Sequence, residues 1–532
     1  MAAAMLLFTS MALPLRPFAQ DGTASPPAQS AQADPGFDID EYRVRGNTVL
    51  KTRDIERVLI GRLGAGKTAA DVEEARAALE KAFHDQGYLT VFVDVPPQRV
   101  THGIVVLKVT EGTVRRNRVT GSRYFSLERT REGIPSLAEG SVPDFDDVQR
   151  ELNVLNSSRD RRVTPILKPA PERGRVDVEL AVQDQFPLHG SVEVSNRQSL
   201  YTTSSRLSAQ VRYDNLWQRG HSLSFLYEVA PERRSDASVQ SLAYSVPAAG
   251  GARYTAYAVH SSSSVAAVGT LNVIGQGEIV GVRANYSLPS NEQLRRSFTV
   301  GVDYKHFNRD ISLPGAPPLR TPLAYAPVSL DYNATAAGER GTTTVDAGLS
   351  FLLRGLANTS DEFTGARSQA DTAFVILKGG VQRNHGLPGQ WSVQVRLDGQ
   401  LASGPLVSNE QFAAGGSTSV RGYKEFEVFG DAGLRASIEV RSAPIAGSPA
   451  SRRQAYVLGF VDGATLAVMD PLPSQQARFR IASAGIGLRW QRDDLYFDID
   501  GALALLDAAR VPVAGNTMAG DNRMHARLSY VF

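Results

Sequence analysis

The sequence predicts an α+β N-terminal part built from two small repeats, followed by an all-β transmembrane barrel. Three observations carry this. Between Phe37 and Gln185 the order strand, helix, helix, strand, strand occurs twice. From Leu188 to Phe532 there is no convincing helix, only sixteen short stretches of alternating apolar and polar residues. The last stretch, RMHARLSYVF, puts Met524, Ala526, Leu528, Tyr530 and Phe532 on one face, with Arg523, His525, Arg527 and Ser529 on the other. Such a strand fits between lipid and a wet lumen, and an even strand number is expected of a closed bacterial barrel.

Composition closes several alternatives. The 532 residues hold 57 basic and 55 acidic side chains, so a nucleic-acid partner has no electrostatic basis. There is no cysteine, which excludes disulfides, thiolate zinc sites, iron–sulfur clusters and a cysteine nucleophile. No metal-ligand cluster stands out among the eight histidines and no nucleophile motif has a supporting context, so the chain reads as neither an enzyme nor a cofactor or metal binder. Mean hydropathy of −0.20 decides nothing, because barrel strands hide only alternate residues in lipid.

Met1–Leu15, MAAAMLLFTSMALPL, has the length of a signal-peptide apolar core and is too short to span a bilayer. Residues 1–20 are read as an export signal, against a disordered start or a mis-assigned first codon; residues 21–36 form a proline- and glutamine-rich linker.

In the first repeat, Tyr42–Leu50 reads as a strand, Asp54–Leu63 and Ala69–Gln86 as helices, and Leu89–Val95 and Ile104–Val109 as strands. In the second, the strand Val114–Val119 is followed by helices at Ser126–Gly133 and Phe145–Leu155, the latter capped by Asp144, then by strands at Arg161–Leu167 and Val176–Val182. Gly61–Thr68, GRLGAGKT, fits the phosphate-loop pattern, but the segment before it has helical rather than strand spacing. It is read as a glycine turn between two helices, with Thr68 as N-cap and Asp71 completing a capping box.

The repeats resemble polypeptide-transport-associated (POTRA) modules. The likeness rests on RGNTVL, DQGY at Asp85–Tyr88, VDVPPQRVTHGIVVLKVTEG, ELNVLN and VTPILKPAPERGRVDVELAVQD. It places POTRA 1 at 37–112 and POTRA 2 at 113–187, and the sixteen alternating stretches make 188–532 a 16-stranded antiparallel outer-membrane β-barrel. Between the eleventh and twelfth strands lies a long connection, Ser403–Gly430, which is the sixth extracellular loop if the modules are periplasmic. It contains Val420, Arg421, Gly422 and Tyr423. VRGY in this loop, two such modules and a terminal Phe532 together resemble the outer-membrane transporters of two-partner secretion (TpsB, the haemolysin/haemagglutinin secretion-activation family).

That resemblance implies export of one large β-helical TpsA-type partner, an adhesin, haemolysin or toxin. It implies lipid around the barrel, help from the barrel-assembly machinery, and Tyr530 and Phe532 as the C-terminal assembly signal. It also implies that the long loop folds into the lumen, where Arg421 pairs with Asp462 of the motif Phe460-Val461-Asp462, with Glu439 as a second acceptor. Leu89–Val95 and Arg161–Leu167 are the expected open edges for capturing the partner. Many members carry a plug helix before the first module, and residues 21–36 are too short and proline-rich to supply one, so the expectation is either no plug or a true start upstream. The competing expectations are a barrel-assembly factor of the same superfamily, a passive porin and a phosphate-loop hydrolase.

Overall fold

The computed structural model describes residues 36–532, except 263–265, 269–270, 274–275, 292, 312–318, 353–359, 371, 449–450, 474 and 511–514. The expected export signal and nearly all of the linker lie outside the described residues. Two compact units are present. One comprises the chain up to Asn117 with Ser136–Gln149 and Leu167–Val178; the other comprises Arg118–Pro135, Arg150–Ile166 and Glu179–Phe532. The division runs through the second repeat.

The first repeat contains β1 (Phe37–Ile39), β2 (Glu41–Arg45), α1 (Thr52–Leu59), β3 (Gly64–Lys67), α2 (Ala69–Asp85), β4 (Val91–Asp94) and β5 (Ile104–Glu111). Its sheet order is β2-β5-β4, with β2 parallel and β4 antiparallel to the central β5. Val72, Ala75, Leu79 and Phe83 recur at helical spacing along α2 and are buried with Ile55, Leu59, Val105 and Leu107. The first strand is shorter than its sequence pattern. It stops at Arg45 because Gly46 takes φ 89° and the Asn47 side chain closes a turn onto Leu50, 3.0 Å from its N–H.

The GRLGAGKT segment also differs from the simple turn expected. Gly64–Lys67 is a strand that pairs with β1. The capping box is present: Asp71 Oδ2 accepts from the Thr68 N–H at 2.8 Å and from Thr68 Oγ1 at 2.7 Å. Bonding to the Thr68 hydroxyl and then to its backbone holds the Asp71 carboxyl below the usual range. A carboxylate at the helix start and no buried strand leading into the glycines are both wrong for a phosphate cradle.

The second repeat supplies β6 (Thr113–Thr120), α3 (Leu127–Glu132), α4 (Phe145–Leu155), β7 (Arg161–Pro169) and β8 (Arg175–Asp184), in the sheet order β6-β8-β7. In both repeats the strand after the helix pair is therefore an edge.

Sixteen main antiparallel strands follow and close, the sixteenth (Asn522–Val531) pairing with the first (Leu188–Ser195) in the register Arg527↔Ser195 to Val531↔Ser191. Tight turns join them at the end where Leu188 begins, and long loops at the other end. The alternation read from the sequence decides which face is wet. On the twelfth strand (Ala432–Arg441) Leu434 and Ile438 are 47% and 52% exposed on the outside, whereas inward-facing Glu439 is 6% exposed. The same outward parity exposes Val192, Val211, Phe225, Val282, Val461 and Leu528 as an apolar belt. Trp217, Tyr254, Tyr286 and Trp391 are exposed near the tight turns, as in an aromatic girdle. No helix among the described residues is long and apolar enough to cross a membrane.

The barrel half is not wholly free of helix, contrary to the sequence expectation. Ser360–Ala366 forms a short helix in the fifth long loop, buried through Phe363 against Tyr325. Seven residues are too few for a helical period to stand out from loop sequence.

Candidate functional site

The long loop re-enters as a stem and a tip. Phe412–Ala414 pairs antiparallel with Val428–Gly430, and the intervening residues turn on Gly415 and Gly416, with φ of 109° and 106°. Val420 and Tyr423 are fully buried among Leu466, Ile481, Ala504 and Ala508, while the Tyr423 hydroxyl lies 2.6 Å from Leu506 O and 2.9 Å from Ala482 O. These two side chains seat the tip and fix the direction of the arginine between them.

Arg421 Nε and Nη2 donate to the two oxygens of Asp462, at 2.7 and 3.0 Å, and its backbone N–H reaches Asp462 Oδ2 at 3.2 Å. Nη1 donates to Glu439 Oε2 at 2.8 Å. The guanidinium carbon stands 3.4 Å from the centroid of the Phe460 ring, a stacked cation–π contact. The acceptors are held in turn: Ser437 Oγ donates to Asp462 at 2.6 Å and Arg441 Nε to Glu439 at 2.7 Å. Asp500, 3.9 Å from Arg421 Nη1, is taken bidentately by Arg489. Three arginines thus balance three carboxylates in a buried network, the condition under which such charges persist in an interior.

Gly422 is required by geometry. Its φ is 92°, and a Cβ there would meet the Cβ atoms of Ala502 and Ser483 at 3.3 and 3.4 Å. Its N–H donates to His525 Nε2 at 3.0 Å, so that ring nitrogen carries no proton.

The fold therefore brings Val420, Arg421, Gly422, Tyr423, Phe460, Asp462 and Glu439 into one site. Tyr530 and Phe532 lie elsewhere, at the seam between the sixteenth and first strands. Sequence reading missed Ser437, Arg441, Arg489, Asp500 and His525; their inward parity was available, but not the register that brings them to Arg421. It also missed two further anchors of the loop. Glu410 is held by Lys305 Nζ at 2.5 Å and the Tyr325 hydroxyl at 2.8 Å, and Asp431 is clasped by Arg367. Finally, the fold assembles Asp160, His189 and Asp214, with donor atoms within 4.8 Å of one another, a cluster that their sequence separation hid. His189 Nε2 is 2.9 Å from Asp160 Oδ1, an oxygen Gln185 also reaches, while Arg212 occupies Asp214, so the carboxylates already have partners within the fold.

Residues 174–490, which include the long loop and both strands that receive Arg421, match the family described as "Haemolysin secretion/activation protein ShlB/FhaC/HecB". That is more than half of the chain. The chain belongs to the haemolysin secretion/activation family. Residues 37–112 match the ShlB-type POTRA domain. The chain is similar to the outer membrane transporter CdiB of Dickeya dadantii, at 22% identity over 206 residues, 37% of this chain and 36% of that relative. It is also similar to the heme/hemopexin transporter protein HuxB of Haemophilus influenzae, at 20% identity over 397 residues, 71% of this chain and 67% of HuxB. The match thus spans little more than a third of the CdiB relative's length. Among solved structures, CdiB from Escherichia coli superposes with a TM-score of 0.65 at 17% identity, covering 96% of this chain and 93% of that one. BamA from Haemophilus ducreyi lacking POTRA domains 1–3 gives 0.56 at 16%, covering 93% of this chain and 100% of that one. Both likenesses establish the fold.

This haemolysin secretion/activation family member is an outer-membrane barrel with its POTRA region on the periplasmic side. Its seam makes a testable demand. Phe532 exchanges both backbone bonds with Gly190 at 2.9 Å, and the Phe532 ring fills the space a Gly190 side chain would take, 2.2 Å from an ideal Cβ. Gly190→Val should therefore lower the amount of folded, heat-modifiable barrel in outer-membrane fractions severalfold. Unchanged levels would show that the Phe532 ring is not needed where it sits.

Proposed function

We propose that the chain exports one large β-rich partner protein across the outer membrane, as a two-partner secretion transporter. The observation that carries the reading is the Arg421 network, which fastens the tip of a long loop inside a sixteen-stranded barrel preceded by two α/β repeats. Loop tips folded into a lumen obstruct it, and a charged, fully paired fastening can be exchanged for other partners without unfolding the wall.

Residues 37–112 and 113–187 are the two capture modules in this reading. They act by β-augmentation, adding an extended segment of the partner to an open sheet edge. Of the two edges we assign β4, where an incoming strand displaces Glu80 and Arg76, which hold the Val93 N–H and O at 3.0 Å. Phe92 is 55% exposed on it and Leu89 and Val95 flank it at 50% and 36%, whereas β7 contains Pro165, which removes one backbone donor from the ladder. The partner is an adhesin, haemolysin or toxin of β-helical type, and no hydrolysis is needed if folding outside draws the chain forward. The fold shared with BamA leaves barrel assembly as the second reading; the heme/hemopexin and CdiB relatives, both named as transporters, favour export.

Deletion of the gene should remove one large protein from the culture supernatant and leave other outer-membrane barrels at normal levels. Loss of many barrels with no missing secreted protein would decide for assembly. In a complemented strain, Phe92→Lys should cut the secreted partner severalfold without changing transporter levels; full secretion would exclude β4 as the docking edge.

A further inference from the structure

At the tight-turn end of the lumen there is a cavity of about 1560 Å³. All of its lining residues belong to the compact unit that contains the barrel. Inward-facing Gln210, Ser222, Ser224 and Ser245 give it a polar, neutral wall, and the other side is built from residues around α3 and the α4–β7 turn. The volume exceeds the roughly 300–1,000 Å³ usual for small-molecule pockets. Its charge is one-sided: seven arginines line it against three carboxylates.

Each of those carboxylates already has an arginine. Glu132 pairs with Arg129 at 2.9 Å, Asp214 with Arg212 at 2.9 Å, and Asp494 with Arg452. Arg159, Arg161, Arg219 and Arg253 remain, and among the described residues none of these four has a carboxylate within ion-pair distance. Arg161 is the most enclosed. Its Nη2 donates to Leu155 O at 3.0 Å, its guanidinium lies 4.8 Å from the Phe125 centroid, and its buried Nε has no partner. Arg159, Arg219 and Arg253 are exposed to the cavity. Four guanidinium groups with no carboxylate at ion-pair distance line one concave space, Asp184 acting on Arg161 only through its field, and such a space attracts carboxylates and repels ammonium groups.

We infer that this chamber is a binding site for carboxylates of an extended, acid-rich polypeptide segment, through Arg159, Arg161, Arg219 and Arg253. The inference rests on the export reading and specifies the chemistry of the segment first admitted to the lumen. A polypeptide is favoured over an anionic lipid because the wall residues face inward, on the side of the barrel opposite the apolar belt. Guanidinium forks suit carboxylates, and the serine and glutamine walls offer hydrogen bonds to a passing backbone without apolar retention.

The test uses the purified full-length chain in neutral detergent and three labelled, unstructured twenty-residue peptides. One is rich in glutamate and serine, one in lysine and serine, and one in glycine and serine; fluorescence anisotropy reads binding. The acidic peptide should bind best, lose affinity as salt rises, and cross-link to a Ser224→Cys variant. The combined Arg159→Gln, Arg219→Gln and Arg253→Gln variant, whose side chains are exposed and not needed for strand pairing, should weaken that binding by about tenfold while heat-modifiability is unchanged. Equal binding of all three peptides, or of the acidic peptide to parent and variant, overturns the inference. So does displacement of the peptide by phosphatidylglycerol micelles with no cross-link at position 224, which would assign the arginines to lipid. If secretion proves independent of the gene, the export reading falls, whereas peptide selectivity is measured without it.

Discussion

Arg421→Ala should abolish or sharply reduce appearance of the partner protein in the supernatant while the barrel still inserts and remains heat-modifiable. The side chain donates to both Asp462 and Glu439 and stacks on Phe460, and all three are fixed on the wall by strand pairing. Removing it leaves two buried carboxylates facing one another, a loss that costs about 3–5 kcal/mol where the partners are dry and less where water can enter. The tip must then move or the network must reorganise. Arg421→Lys should restore little, because an ammonium cannot grip Asp462 with two parallel bonds while also reaching Glu439. A double-mutant cycle with Asp462→Ala, read on resistance of the loop to protease, should show strong coupling, since each single change already breaks the shared contact. Normal secretion by Arg421→Ala would sink the role; zero coupling would sink the pairing.

The parts of this site that were legible in the sequence share one property: they follow from local pattern. The length of the 403–430 connection marks the loop, and the motifs VRGY and Phe460-Val461-Asp462 carry the family resemblance that pairs Arg421 with Asp462 and offers Glu439. What alternation cannot supply is register around a closed barrel. A one-residue slip exchanges inside for outside, but a two-residue slip preserves the pattern and shifts the partner by a whole side-chain pair. Asp500 and His525 therefore read as generic inward residues, although one sits 3.9 Å from Arg421 and the other accepts from Gly422. Gly64–Lys67 was illegible for another reason: its glycines carry no strand pattern, and only pairing with Phe37–Ile39 makes it a strand. Arg367 and Lys305 lay beyond reach because their acceptors, Asp431 and Glu410, stand 64 and 105 residues away in loop sequence without a period.

Those same loop anchors imply a second large effect, at the outer end of the lumen. Arg367 ties three long loops together: it grips both oxygens of Asp431 at the end of the sixth, donates to Leu406 O at 2.5 Å, and donates to Met469 O of the seventh at 3.0 Å. Asp431 has no exposed surface and also accepts from the N–H groups of Leu406 and Met469, at 2.9 and 2.7 Å. The fifth loop, which carries Arg367, is held down by Phe363 packed on Tyr325. Arg367→Ala deprives a fully buried carboxylate of its counter-charge, so the local structure should open rather than keep Asp431 ionised and dry. The expected result is a higher and noisier single-channel conductance in planar bilayers and faster proteolysis within 403–430, with barrel levels unchanged. Arg367→Ala combined with Asp431→Asn removes the stranded charge together with its partner, so it should recover much of the closed, protease-resistant state. If the single variant conducts like the parent, the three-loop clasp does not close the channel, and occlusion rests on the Arg421 tip alone.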